Sequence, residues 1–281
     1  LIGEIGDGAK IALNVLNVGR FKLGASVTGG AKQAIHHAVQ YANEREQFKT
    51  PIAKFGAIKH KIAEMAIKTW VAEGITYRTV GMIDRLIGDG TDPSKKLKSI
   101  EEYAVESSIN KVYCSEVLDY VVDEMVQIYG GAGYSADYPA EKAYRDARIN
   151  RIFEGTNEIN RMLIPGMLLK KAMKGEIGLL GAAKALQEEI LNPVMSFDEE
   201  SDLLETELKL ARNAKKVALM VLGSAAQTFM ASIKDQQEIL IGCADIIMEA
   251  YAMETAVLRA KKIATKDGED AAKKYIDAAG V

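Results

Sequence analysis

Glu154 stands in Arg151-Ile-Phe-Glu-Gly-Thr-Asn-Glu158, between an aromatic residue and a glycine. A carboxylate pressed against apolar surface resists ionisation, because burial disfavours the charged form. That suits a base that must take a proton from carbon, and a solvated surface glutamate has no need of it. A second reading is purely structural: Glu154 precedes a helix starting near Thr156, where an anion complements the helix dipole. The stretch alone leaves both open. Gln127-Ile-Tyr-Gly-Gly-Ala-Gly-Tyr134 is the other unusual stretch, because four small residues let a backbone bend sharply and approach a ligand. Its Gly131-x-Gly133-x-x-Ala136 spacing matches a loose dinucleotide fingerprint. That fingerprint needs a preceding strand, whereas Val117 to Ile128 has helical spacing, so the match is rejected. A helix C-cap followed by a turn is the alternative for these glycines. His36, His37 and His60 have no metal-ligand spacing with carboxylates or cysteines, so no metal site is expected.

The elements that must hold these residues are helices. Ile58, Ile62, Met65, Ala72, Val80, Ile83 and Leu86 step by threes and fours towards an end near Gly88. Asp92 and Pro93 then suit a cap and a first helical position, and a further helix carries Ile109 to Ile128 towards Gly130. Asn14 to Glu44 reads as helix interrupted by Gly19, Gly24, Gly29 and Gly30. No convincing strand is visible, and the expected class is all-α: a helical bundle followed by a second helical domain. Residues 1–174 form the bundle, 175–198 a Gly- and Pro-punctuated linker region, and 199–281 a helical extension. Ser196 and Glu199 have capping-box spacing. Beyond them Leu204 to Phe229 and Leu240 to Leu258 form two helices, an antiparallel pair joined near Lys234-Asp-Gln-Gln237.

Composition excludes several classes. The 281 residues carry a net charge of -3, which gives no footprint for nucleic-acid binding. No run approaches about 18 uninterrupted apolar residues, and the N-terminus lacks a signal-peptide pattern. Cys114 and Cys243 form no Cys-x-x-Cys pair and read as small core residues in a reducing, cytoplasmic compartment. Residues 175–186 have the pattern of a weakly amphipathic helix, so peripheral membrane contact is a further expectation.

Several motifs together resemble the acyl-CoA dehydrogenases. Gln127-x-x-Gly-Gly-x-Gly-Tyr134, Tyr138-Pro139, Arg145-Asp146 and aromatic-Glu154-Gly155-Thr156 follow that family's order and spacing. Arg45-Glu-Gln-Phe48 with Pro51 is similar to its Arg-x-x-Phe-Gly-x-Pro segment, with Lys49 in place of the usual glycine. Leu16-Asn-Val-Gly-Arg20 resembles the segment that helps hold acyl-CoA. The resemblance covers residues 1 to about 173, and the helices after Gly175 resemble the very-long-chain branch.

That resemblance implies a cofactor, FAD, and a base, Glu154, removing the α-proton of a fatty acyl-CoA while a hydride leaves to flavin, giving a trans-2-enoyl-CoA. It places Arg45 and Phe48 at the FAD of a neighbouring subunit, with Gln127, Gly130 and Gly131 beside its adenosine half. Thr156 and Glu158 fall near the subunit's own flavin, Gly155 against the thioester, and Asn17 and Arg20 near the CoA or acyl end. Asn17 replaces a common aspartate, Glu158 a frequent neutral amide, and Gly56 a glutamine of shorter-chain members. The implied partners are electron-transfer flavoprotein and further copies of the chain, as a homodimer or larger homo-oligomer. In a eukaryote the matrix side of the mitochondrial membrane is the implied location. The family's N-terminal helical and middle β domains have no counterpart here, so a C-terminal fragment that binds FAD poorly alone is expected. An acyl-CoA oxidase sharing the same base, and a non-catalytic helical assembly protein of the same fold, are the alternatives.

Overall fold

The computed structural model describes residues 5–192 and 202–281, and its chain divides into two compact units, Leu1–Asn157 and Glu158–Val281. The sequence places its change of character later, after Gly175. Pro193 and the Ser196–Glu199 capping pair lie outside the described residues.

In the first unit α1 spans Gly8–Glu44, α2 Gly56–Ile87, α3 Pro93–Glu102, α4 Ala104–Tyr129 and α5 Pro139–Ala147. α1 does not break at its glycines. Two of them sit where a side chain would displace a neighbour: a Cβ on Gly24 would lie 2.2 Å from Asn110 Nδ2, and one on Gly19 2.4 Å from Glu154 Oε2. Phe21 meets Asn110, Gly30 meets Leu118, and Tyr41 stacks on Tyr129, so α1 and α4 run parallel. α2 runs against α4, since Lys61 pairs with Glu124 while Thr76 donates to Asn110 at 2.8 Å. The shared core joins an alanine face of α1 (Ala31, Ala34, Ala38, Ala42) to Val117, Val121, Met125 and Ile128 of α4. Each large α4 side chain contributes about 1.5–3 kcal/mol on burial, and the alanines let the helices approach closely.

Turn chemistry follows the residues. Gly88 ends α2 at φ 70°, and the Asp92 carbonyl accepts from Lys96 N–H at the start of α3. The single segment expected after Pro93 is divided at Tyr103 into α3 and α4. The all-helical reading is corrected in one detail: Glu46–Gln47 (β1) and Thr50–Pro51 (β2) form a minimal antiparallel hairpin. Its two turn residues, Phe48 and Lys49, have φ of 53° and 63°, the left-handed pair that a tight hairpin turn demands. Two-residue strands carry no readable alternation.

The second unit contains the remainder of α6 (Asn157–Met173), with α7 (Leu179–Leu191), α8 (Glu205–Phe229), α9 (Gln237–Asp267) and α10 (Glu269–Gly280). α7 lies within the stretch read as a linker and packs on α8, where Gly223 faces Ala183. Lys215 pairs with Glu254, and Glu205 with Lys261, so α8 and α9 are antiparallel. The stretch Glu205–Asp235, with a mean hydropathy of 1.3 in its most apolar window, is long and apolar enough to cross a membrane by length and composition. Lys209, Arg212, Lys215 and Lys216 gather in its first half, which leaves the second half as its apolar part.

Candidate active site

Glu154 lies in the turn between α5 and α6. A 3₁₀ segment, Arg148–Arg151, follows α5, and the N–H groups of Ile152 and Phe153 both return to the Ile149 carbonyl. Glu154 and Gly155 then take φ of 58° and 81° in succession. Positive φ is natural for Gly155 and uncommon for an L-residue such as Glu154, and such backbone persists only where neighbours hold it.

The neighbours are identifiable. A Cβ added to Gly19 would lie 2.4 Å from Glu154 Oε2 and 2.7 Å from Oε1, so the carboxylate rests directly on the α1 backbone. Arg20, only 6% exposed, donates from Nε to the Glu154 carbonyl at 3.3 Å. Its Nη1 donates to Asn17 Oδ1 at 3.0 Å and to Ser108 Oγ at 3.4 Å. Burial lowers the Arg20 pKa and the nearby Glu154 charge opposes that; a guanidinium stays charged regardless. Before the turn, Arg151 pairs with Asp119 of α4 at 3.0 Å. Burial raises the Asp119 pKa, and Arg151 and Arg148 counter the rise.

α4 also holds the far side. Asn157 is buried, and its Oδ1 accepts from the fully buried Lys111 Nζ at 2.6 Å. Its Nδ2 donates to Ser115 Oγ at 3.1 Å and to Glu116 Oε1 at 2.9 Å. Sequence reasoning missed Gly19, Ser108, Lys111 and Asn157. A lysine between Ile109 and Val112, on a helix whose apolar face is long, was the available signal, and a charge with no motif around it reads as solvated.

The residues expected beside the base are thus split. Asn17, Arg20 and Gly155 gather around Glu154, and half-buried Thr156 adjoins them in sequence. Asn17 and Arg20 are buried and already engaged with each other and with the turn. Exposed Glu158 opens the second unit.

Arg45, Phe48, Gln127, Gly130 and Gly131 form a second group at the other end of α1. Tyr41 stacks on Tyr129 at 4.0 Å, and Tyr138 meets both edge-on. This joins the C-terminal ends of α1 and α4. Arg45 caps α1 and is exposed, and Phe48 is 90% exposed at the hairpin tip. Gly130 is the expected helix C-cap, at φ 59° with its N–H on Gln127 and Val126 carbonyls. A Cβ on Gly130 or Gly131 would meet nothing within 4 Å, whereas Gly133 is filled by Val126 and Tyr129. Gly133 therefore serves packing, and the other two leave backbone open. From Arg20 to Arg45 the helix rises about 37 Å at 1.5 Å per residue.

Known proteins resemble this chain along most of its length. The sequence profile of "Acyl-CoA dehydrogenase, C-terminal domain" matches residues 6–168, and a second profile of the same description matches residues 213–280. A "Probable acyl-CoA dehydrogenase" of Bacillus subtilis (strain 168) is 49% identical over 282 residues, covering 98% of this chain and 47% of that protein. The mitochondrial very long-chain specific acyl-CoA dehydrogenase of Mus musculus is 32% identical over 280 residues, covering 93% and 40%. A crystal structure of acyl-CoA dehydrogenase complexed with FAD from Bacillus anthracis superposes with a TM-score of 0.93 at 50% identity, covering 99% of this chain and 47% of that one. The chain spans less than half the length of these relatives.

Proposed function

We propose that this chain, which belongs to the acyl-CoA dehydrogenase family, supplies the proton-abstracting base of a flavin enzyme that converts fatty acyl-CoA to trans-2-enoyl-CoA. The observation that carries the reading is the posture of Glu154: a half-buried carboxylate on a left-handed backbone, seated on Gly19 with its carbonyl bound by buried Arg20. A solvated glutamate needs none of these restraints, and a base whose geometry decides the rate needs all of them.

The carboxylate takes the α-proton, and Gly155 beside it leaves room for a thioester to come close. Arg20, held in turn by Asn17 and Ser108, acts on the base by fixing its carbonyl. The second group fits a dinucleotide: an exposed guanidinium suits pyrophosphate oxygens, and two glycines with open backbone suit the adenosine half. Arg45, Phe48, Gln127, Gly130 and Gly131 would hold FAD there, and Thr156 with Glu158 would meet the chain's own copy. When bound, FAD supplies the two-electron oxidant. The length of α1 separates Glu154 from Arg45 further than one such cofactor reaches, which supports sites shared between copies. Electron-transfer flavoprotein is the proposed acceptor.

In the complete flavin-loaded enzyme, Glu154→Gln should lower acyl-CoA-dependent reduction by roughly 10²–10⁴-fold with flavin content unchanged. Stopped-flow bleaching of the flavin measures it, and an undiminished rate would remove Glu154 from the role of base.

A further inference from the structure

We infer that Lys111 is a positioning residue for the Glu154 turn, acting through Asn157; the inference rests on the reading of Glu154 as base. Lys111 lies on α4, has no exposed surface, and places Nζ 2.6 Å from Asn157 Oδ1. Burying an ammonium is costly unless hydrogen bonds and countercharge repay it, and an apolar side chain of similar volume commonly serves stability as well or better. What a methyl group cannot supply is direction. The ammonium admits only the amide oxygen, so the Asn157 NH₂ is turned towards Ser115 Oγ and the Glu116 carboxylate. A flipped amide would set donors against the ammonium and an acceptor against the carboxylate.

Asn157 is thereby held in one orientation by three α4 residues spaced within a turn and a half. It stands three residues after Glu154, and the two residues between are Gly155, at φ 81°, and Thr156. Arg20 grips the same turn at the Glu154 carbonyl. With a glycine in the middle, one grip leaves the carboxylate free to swing about the other. Two grips on opposite sides of Gly155 fix where it points above Gly19. Lys111 touches no reacting atom in this scheme; its effect passes through Asn157 to the backbone of the base.

The test uses the flavin-loaded enzyme with Lys111→Met, the apolar pair Lys111→Met/Asn157→Leu, and the milder Ser115→Ala. Lys111→Met should cut kcat roughly 10- to 100-fold at unchanged KM and flavin content, because small displacements of a catalytic group cost that much. Amide hydrogen exchange should rise at peptides covering 153–157. The apolar pair should recover thermal stability without recovering the rate, and Ser115→Ala should give the same kinetic pattern at smaller size. The proposal is overturned if Lys111→Met or, should that variant not fold, Ser115→Ala keeps wild-type kcat and exchange. It is equally overturned if the apolar pair restores rate together with stability. Glu154→Gln separates the two claims: full activity there defeats the base, whereas an inactive Glu154→Gln beside a fully active Lys111→Met defeats only the clamp.

Discussion

The two units bury different things. Around Glu154 the first unit buries Asn17, Arg20, Thr76, Ser108, Asn110, Lys111, Ser115 and Asn157. The second unit's described interior is nearly all apolar, with alanines, Leu222, Leu240, Cys243 and Met248, and with Asn160 and Thr255 as its buried polar residues. Polar groups in a low-dielectric interior are costly when mispaired and directional when satisfied, so they define one arrangement sharply. Apolar helix faces stabilise with far less directional demand. On the proposed reading of Glu154 as base, the unit that positions the carboxylate has the first kind of interior.

This contrast can be broken most forcefully at Arg20. Arg20→Met leaves the Glu154 carbonyl and Asn17 Oδ1 without their guanidinium partner, and should cost about 2–4 kcal/mol. The single tryptophan, Trp70 on α2, lies in the first unit, so its fluorescence in urea reads that unit selectively. A loss below about 1 kcal/mol would show a more tolerant interior than described.

Glycine substitutions sharpen the comparison. Gly24→Ala forces a Cβ into Asn110 and should destabilise by about 1–3 kcal/mol. Gly242→Ala, exposed on α9 with nothing within 4 Å, should stabilise by up to about 1 kcal/mol, measured by circular dichroism in urea.

Alkaline pH probes the same interior. Burial pushes the Cys114 thiol up to about 12, with smaller opposing contributions from hydrogen bonding to Thr76 and Thr28. A raised pKa means the fold favours the protonated thiol. Its contribution is complete below the ordinary value of 9.0 and is lost as pH climbs towards about 12. The Trp70 transition should therefore weaken above pH 9, and a flat profile to pH 11 would contradict it. Burial of Tyr120 and Tyr129 acts in the same direction. The smallest effect is expected at the hairpin: Lys49→Gly relieves φ 63° and should stabilise by about 1 kcal/mol or less, read in the same urea titration.

Periodicity located the helices well because their apolar faces are long. It misjudged α2 in detail: Leu86, expected on the inner face, is 41% exposed, while Thr69, Thr76 and Thr79 are buried. Threonine counts as polar in a pattern, yet Thr76 satisfies its hydroxyl on the Ala72 carbonyl and Asn110. The divided helix at Tyr103 and the two-residue hairpin lie below the resolution of any hydrophobic period. The glycines of α1 read as interruptions because what fills the space beside them comes from residues about 90 or more positions away.

The sequence by itself determined the helical class, the caps at Gly88 and Gly130, and the motif around Glu154, since propensity, capping and local spacing are written in neighbouring residues. Tertiary structure alone decided that Gly19 is the seat of the carboxylate and that Arg20 grips its carbonyl. It alone brought buried Lys111 to Asn157. Those facts depend on which helices lie parallel and in what register, and register is set by the packing of whole faces rather than by any short stretch of chain.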